Sequence, residues 1–218
     1  DTDTFDTWFS SGQWPFATLK ATGNYNAFYP SSVMETGYDI LPWWVCRMIM
    51  LGLFATGKVP FKTVYLHGLV KDSKGQKMSK SRGNVINPME IVDRFGADAL
   101  RLALVFGTKA GADQSVSEEK IIGMRNFCNK LWNIGRFIEM QNNTTLQTSN
   151  KNKLSNEGKK IQKQLTGLVK KATKAINDYK FGQAAEILYQ FTWHEFADKY
   201  IEYCKNNPSS ATIKILNE

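Results

Sequence analysis

The pattern of chain breakers changes near residue 116, and no single layer architecture suits both sides of that boundary. Before it, glycines and prolines punctuate short runs rich in β-branched and aromatic residues; after it come long helical patterns with few breakers. The first part asks for strands with helices between them, the second for helices packed on helices. The sequence therefore predicts two regions, 1–116 and 117–218, the second cut short at Glu218. A chain of 218 residues suffices for one large domain or two small ones. Its 42% hydrophobic and 22% charged content is that of an ordinary globular protein, which argues against long disorder or collagen-like repeats. No uninterrupted apolar run approaches about 18 residues, so no membrane span is expected. The start, Asp1-Thr2-Asp3-Thr4, is too polar for a secretory signal. The missing initiator Met suggests a piece of a longer chain. Cys46, Cys128 and Cys204 are widely spaced. They form neither a Cys-x-x-Cys zinc pair nor a disulfide framework, and fit a reducing cytoplasm.

Charge follows the same division. Residues 1–116 hold 12 basic and 10 acidic side chains; residues 117–218 hold 16 and 10. A basic second half suits a polyanion such as RNA, and equally a solvated lysine-rich helix face. Lys151 to Lys174, with eight lysines against Glu157, carries both readings.

Ser32–Thr36 reads as a strand ending at Gly37. Asp39–Thr56 reads as a helix capped by Asp39, with Pro42 in its first turns and Gly57 as its stop. Thr63–His67 reads as a second strand. Strand, helix and strand make a parallel unit with a right-handed crossover, and ligands bind such sheets beyond the strands' carboxyl ends. Those ends are Thr36-Gly37-Tyr38-Asp39 and His67-Gly68. Asn87-Pro88-Met89-Glu90 starts a helix, with Glu90 able to reach back to the cap amide; Gly96 ends it, and another runs from Ala97 to about Phe106. Ser117 caps a helix with Ile121, Met124, Cys128, Leu131, Gly135 and Ile138 on one face. A second shows Ile161, Leu165, Leu168, Ala172, Ile176 and Tyr179, and Phe181–Tyr203 is a third; Gln141–Ser155 is the loop between the first two. Three antiparallel helices would make a bundle, with Trp132, Phe137 and His194 in its core rather than on its surface.

The segment from Asp72 to Asn84, DSKGQKMSKSRGN, packs four basic residues, three serines and two glycines into thirteen positions. It is not a Gly-x-x-x-x-Gly-Lys loop. Lys77 and Lys80 could set two ammonium groups over a polyphosphate, with Ser79 and Ser81 as hydroxyl donors; a solvated basic turn is the plainer alternative. A mobile loop could reserve its best contacts for a transition state.

The order Lys77-Met78-Ser79-Lys80-Ser81 resembles the signature loop of class I aminoacyl-tRNA synthetases. Residues 6–11 (DTWFSS), 36–40 (TGYDI), 59–65 (VPFKTVY) and 125–133 (RNFCNKLWN) resemble the valyl-tRNA synthetases in particular; isoleucyl-tRNA synthetases are the near alternative. The resemblance covers almost the whole chain. It implies an α/β fold, the second half of a Rossmann-like nucleotide fold with parallel strands, followed by an all-α anticodon-binding bundle. It also implies that the His-Ile-Gly-His signature, the N-terminal catalytic half and the editing domain lie outside this sequence, whose histidines are His67 and His194. The activity implied is ligation of valine to tRNA(Val) through valyl-adenylate, with ATP and Mg2+; a catalytically silent tRNA- or nucleotide-binding module is the rival from another class.

By the same resemblance, Lys80 and Lys77 would be catalytic on the ATP phosphates, supported by Ser79 and Ser81, with Met78 offering backbone groups near the adenine. Gly37 and Asp39 match a Gly-x-Asp element that binds ribose; Asp39 as a plain helix cap is the alternative. Trp8, Ile40 and Trp44 would line the amino-acid pocket, against core packing for Trp44. Pro42 stands where valyl enzymes usually carry an aromatic residue. His67 and Gly68 would reach nucleotide, against a structural role for His67.

Overall fold

The computed structural model describes residues 2–72, 74–79, 81, 83–143 and 154–217. Packing divides them into two compact units: residues 1–70 with 110–114, and residues 71–109 with 115–218. The boundary by packing thus differs from the boundary by composition, because residues 71–109 pack with the later helices.

The first unit is built on two parallel strands, β1 (Ser31–Gly37) and β2 (Phe61–His67), with Val33 opposite Thr63 and Gly37 opposite His67. The crossover between them is helical, and α3 (Cys46–Thr56) is its regular part. It stops at Gly57, whose φ of 69° suits a residue without Cβ. The start differs from the sequence reading. Tyr38–Ile40 is a 3-10 turn and Leu41–Val45 a π turn, with Gly37 at the N-cap. Asp39 therefore lies inside the first turn and does not cap it. Pro42, near the start of the π turn, has no amide hydrogen to lose from the ladder. Val45 and Met48 are wholly buried against Met34 of β1 and Phe61 of β2, with Leu41, Trp44, Ile49 and Val64 around them. An unforeseen helix, α1 (Thr7–Ala21), packs on α3 and is followed by the short α2 (Tyr25–Phe28); Asp6 caps α1 by accepting the Trp8 amide at 2.7 Å.

The crossover Tyr38–Thr56 also overturns the expectation that nothing here is long and apolar enough to span a membrane: its 19 residues are. The helix joins two hydrogen-bonded parallel strands, and such crossovers are apolar because they cover a sheet. Its other side is open, with Met50 69% and Phe54 91% exposed.

In the second unit α4 (Pro88–Phe95) and α5 (Ala97–Val105) precede the bundle. Asn87 caps α4 through the Met89 amide at 3.0 Å, but Glu90 meets the Asn87 side chain at 2.9 Å rather than the cap amide. Arg94 forks onto Glu118 at 2.5 and 3.2 Å, tying α4 to the first turn of α6 (Glu118–Asn142). Ser117 caps α6 and Ser155 caps α7 (Asn156–Asn177). The third long helix is continuous from Phe181 to Asn206: α8 (Phe181–Gln190), π turns over Phe191–Ile201, and α9 (Glu202–Asn206). A further helix, α10 (Ser210–Leu216), closes the bundle. Ile161, Tyr200, Ile201, Cys204, Ile215 and Leu216 form the core, which Ile134, Phe137 and Ile138 of α6 flank.

The α6 face turns relative to expectation. Phe127 is buried, whereas Leu131 and Gly135 are exposed, and so is Ile176 of α7. Trp132 is 73% exposed and is not core. His194 stacks edge-on against Tyr189 and faces Asp198 at 3.5 Å, half-exposed rather than buried. Much of the Gln141–Ser155 loop, with Lys151 and Lys153, lies outside the described residues.

Candidate functional site

The parallel register brings four of the expected nucleotide residues to one edge of the first unit. Gly37 and His67 are paired at the carboxyl ends of β1 and β2, with Gly68 next in the chain. A Cβ on Gly37 would lie 2.8 Å from Oδ1 of Asp39, so the absence of a side chain lets that carboxylate fold back over the strand end. A Cβ on Gly68 would collide with the Ala112 carbonyl. The chain passes close here because Leu69 donates its amide to Asp113 at 2.8 Å and Gly111 donates to Leu66 at 2.8 Å. The His67 ring is held at both nitrogens: Nδ1 is 2.8 Å from the Gly68 carbonyl and Nε2 is 3.3 Å from Glu35. Glu35 was not foreseen. Only the register shows it, since Glu35 and Gly37 share one face of β1. Glu35 also helps burial push the Tyr65 phenol above its ordinary range, burial being the larger cause.

The expected amino-acid pocket residues are near one another only in part. Trp44 donates Nε1–H to the Ser11 carbonyl of α1 at 3.3 Å, while the Arg47 guanidinium lies over the Trp8 ring at 5.0 Å. The two tryptophans thus flank the junction of α1 with the crossover. Ile40 is half-buried in the 3-10 turn. With 3-10 and π turns between Ile40 and Trp44, regular α spacing does not set their common face.

The basic loop belongs to the second unit. Lys71 and Lys77 bridge antiparallel, and Gly75, at φ 75°, turns the chain between them. Asp72 is the hub. Its Oδ1 accepts the amides of Lys74 at 2.9 Å and Gln76 at 2.8 Å; its Oδ2 accepts Nδ2–H of Asn84 at 2.8 Å. Asn84 in turn accepts the Ser79 amide at 2.9 Å and donates to the Lys77 carbonyl at 3.3 Å. Ser79 and Ser81 face each other, Oγ to Oγ, at 3.2 Å. These bonds hold the Asp72 carboxyl below the ordinary 3.8, the Asn84 bond most, then the Gln76 and Lys74 amides. Met78 is half-buried and Lys77 exposed. Lys80, the foremost sequence candidate, lies outside the described residues, as do Ser73 and Arg82. Beside the hub lies a cleft of about 440 Å³ lined by Asp72, Gln76, Asn84 and Glu118 among others. Asp72 and Asn84 were read from sequence only as the ends of the loop.

Residues 1–117 match the family described as tRNA synthetases class I (I, L, M and V). The chain belongs to the class I tRNA synthetases. Residues 158–217 match the anticodon-binding domain of tRNA ligase. Among curated relatives, the valine–tRNA ligase of Pelagibacter ubique (strain HTCC1062) is 49% identical over 209 residues, 94% of this chain and 24% of that protein. That of Dehalococcoides mccartyi (strain CBDB1) is 45% identical over 208 residues, again 94% of this chain and 24% of that one. The chain thus spans about a quarter of the length of the curated relatives it matches. Among solved structures, the LeuRS of Agrobacterium radiobacter K84, in ternary complex with tRNA and LeuAMS, superposes with a TM-score of 0.80 over 99% of this chain and 29% of that one, at 22% identity. The methionyl-tRNA synthetase of Mycobacterium tuberculosis with methionyl-adenylate gives 0.71 over 88% of this chain and 40% of that one, at 20% identity. These class I synthetases share the fold: parallel strands with a helical crossover, then a helical bundle.

Proposed function

We propose that the chain serves an enzyme that ligates valine to tRNA(Val). The supporting observation is the run of valine–tRNA ligases at 44–49% identity across some 94% of the chain, alongside the two family matches. In this reading the valine carboxylate attacks the α-phosphorus of ATP, the bond to pyrophosphate breaks, and valyl-adenylate forms. A terminal ribose hydroxyl of tRNA then takes the valyl group and AMP leaves. No covalent enzyme intermediate is needed; the protein supplies position and charge.

Lys77 and Lys80 neutralise the departing pyrophosphate, with Ser79 and Ser81 as donors and the Met78 backbone towards the adenine. Asp39 accepts ribose hydroxyls over Gly37, with His67 and Gly68 alongside. Trp8, Ile40 and Trp44 take the valine side chain. The functional division falls at residue 116, with the part beyond it meeting the tRNA. In this reading ATP brings Mg2+ with it, an ion held largely through substrate phosphates rather than by a dedicated all-protein cage. A soluble, cytoplasmic setting suits a translation enzyme.

The test replaces the aligned segment of the Pelagibacter ubique enzyme with this chain and measures valine-dependent pyrophosphate exchange. Exchange with valine, cut about a hundredfold by Lys80→Ala (roughly 3 kcal/mol of transition-state contact), supports the reading. A rate within twofold of the unsubstituted graft sinks the role of Lys80, and exchange driven by isoleucine instead reassigns the substrate.

A further inference from the structure

We propose that Asp72 and Asn84 are positioning residues for the phosphate-binding loop, acting as a polar clamp that sets the backbone at Lys77 and Ser79. This rests on reading that loop as the phosphate site. The two side chains stand twelve residues apart and meet directly, Nδ2 of Asn84 on Oδ2 of Asp72 at 2.8 Å. Between them they hold four backbone groups of the loop: the amides of Lys74, Gln76 and Ser79 and the carbonyl of Lys77. The signature Lys77-Met78-Ser79 is thus fastened at both ends by one asparagine. Its other anchor is a carboxylate whose two oxygens are both occupied.

The chemistry of the pair is directional. Asn84 stands between a donor, the Ser79 amide, and an acceptor, the Asp72 carboxylate, so its amide orientation is fixed. If residue 72 were a neutral amide with its oxygen kept on the Lys74 and Gln76 amides, its NH2 would face residue 84. Either orientation of Asn84 then leaves two N–H groups opposed, at Asp72's position or at Ser79. The swapped pair, Asp72→Asn with Asn84→Asp, restores a donor facing an acceptor at both places. It loses only the longest contact, to the Lys77 carbonyl.

Electrostatics alone and the clamp predict opposite signs. Asp72 is an anion beside a loop that would hold phosphates. Removing its charge should tighten polyphosphate binding if charge is all that matters. If the carboxylate organises the loop, removing it should weaken binding, because each phosphate contact must then also order the backbone.

The experiment uses the 218-residue chain and inorganic tripolyphosphate as the probe, with binding read by calorimetry and the Ser79 amide by hydrogen exchange. Asp72→Asn is expected to weaken binding about fivefold and to speed Ser79 exchange at least tenfold. The double swap should return both to within about threefold of the unsubstituted chain. In the grafted enzyme Asp72→Asn should lower kcat of pyrophosphate exchange while KM for valine stays within twofold, and the double swap should restore kcat, a rescue that general unfolding would not give. Tighter binding in Asp72→Asn, or a double swap as impaired as the worse single variant, overturns the clamp. Failure of the unsubstituted chain to bind tripolyphosphate overturns the phosphate-site reading itself, and the positioning role with it.

Discussion

The two units solve the burial problem differently. In the second, the long helices close on themselves: Ile161 of α7, Tyr200, Ile201 and Cys204 of the third helix, and Ile215 and Leu216 of α10 meet in one core. Burial there pushes the Cys204 thiol up to about 11, as expected of a thiol kept neutral by apolar neighbours. The outer side of α7 is cationic, since Lys159, Lys163, Lys170 and Lys174 fall on the face away from Ile161, Ala172 and Ala175. In the first unit, by contrast, the crossover helix buries Val45 and Met48 on the strand pair while Trp43, Met50 and Phe54 stay open. A helix apolar on every side is written for cover on every side, whereas an amphipathic one is finished by its neighbours on one. The bundle's sequence therefore specifies its own surface, and the crossover's does not.

The largest test of that contrast is catalytic. The chain spans about a quarter of the valine–tRNA ligases it matches; if its two units together lack the full positioning that adenylate formation needs, it should charge tRNA with valine no faster than a no-enzyme control. Positioning is worth about 7–11 kcal/mol of barrier. Charging above the control would break the comparison at its root. The next test stays on one helix. Met48→Ala should cost about 2–5 kcal/mol of stability by denaturant unfolding, because Met48 is 0% exposed in a closed cluster. Phe54→Ala should change stability by no more than about 0.5 kcal/mol and lessen binding of a hydrophobic dye. Equal losses at the two positions would mean that Phe54 is covered in solution.

Smaller in energy is the electrostatic arm. Reversing Lys163 and Lys170 to Glu should weaken tRNA binding on the order of tenfold and flatten the salt dependence by roughly 1.5 in the log–log slope. Reversal of Lys58 and Lys62 in the first unit is the control and should leave the slope alone. An unchanged slope in the α7 variant would leave its lysines as a solvated face.

Local signals were legible in the sequence and long-range ones were not. Gly57, Gly96, Asn87 and Ser117 end or begin helices as read, because caps act within one turn. The two long strands of the first unit are legible, since β-branched runs flanked by breakers state their own limits; the two-residue strands Val70–Lys71 and Gln114–Ser115 are not. The α1 helix was not read, for it contains Gly12 and Pro15. On α6 the sequence points Leu131, Gly135 and Trp132 inward, because a helical stripe shows its own period but not which neighbours arrive to cover it; the covered side is set by Ile134, Phe137 and Ile138. For the site, Lys77-Met78-Ser79 was conspicuous in composition. The Asp72–Asn84 bond depends on a turn closing over twelve residues, and the Glu35–His67 contact depends on strand register, so neither could be read from spacing.

The smallest predicted effect is a titration confined to the loop of the second unit. Asp72 has a folded-state pKa below its ordinary 3.8, with the Asn84 bond as first cause. A depressed carboxylate contributes order that is fully present above the unfolded value and is lost as pH falls through the folded one. The loop should therefore stay clamped throughout the neutral and mildly acidic range. The Asn84 side-chain NH2 resonance should shift with a midpoint below 3.8, coinciding with release of the Ser79 amide. In Asn84→Ala the Asp72 midpoint should move up towards the ordinary value, since the leading cause of its depression is gone and only the backbone amides remain. A midpoint at or above 3.8 in the unsubstituted chain, or one that Asn84→Ala leaves in place, would show that the carboxylate and the amide do not hold each other in solution.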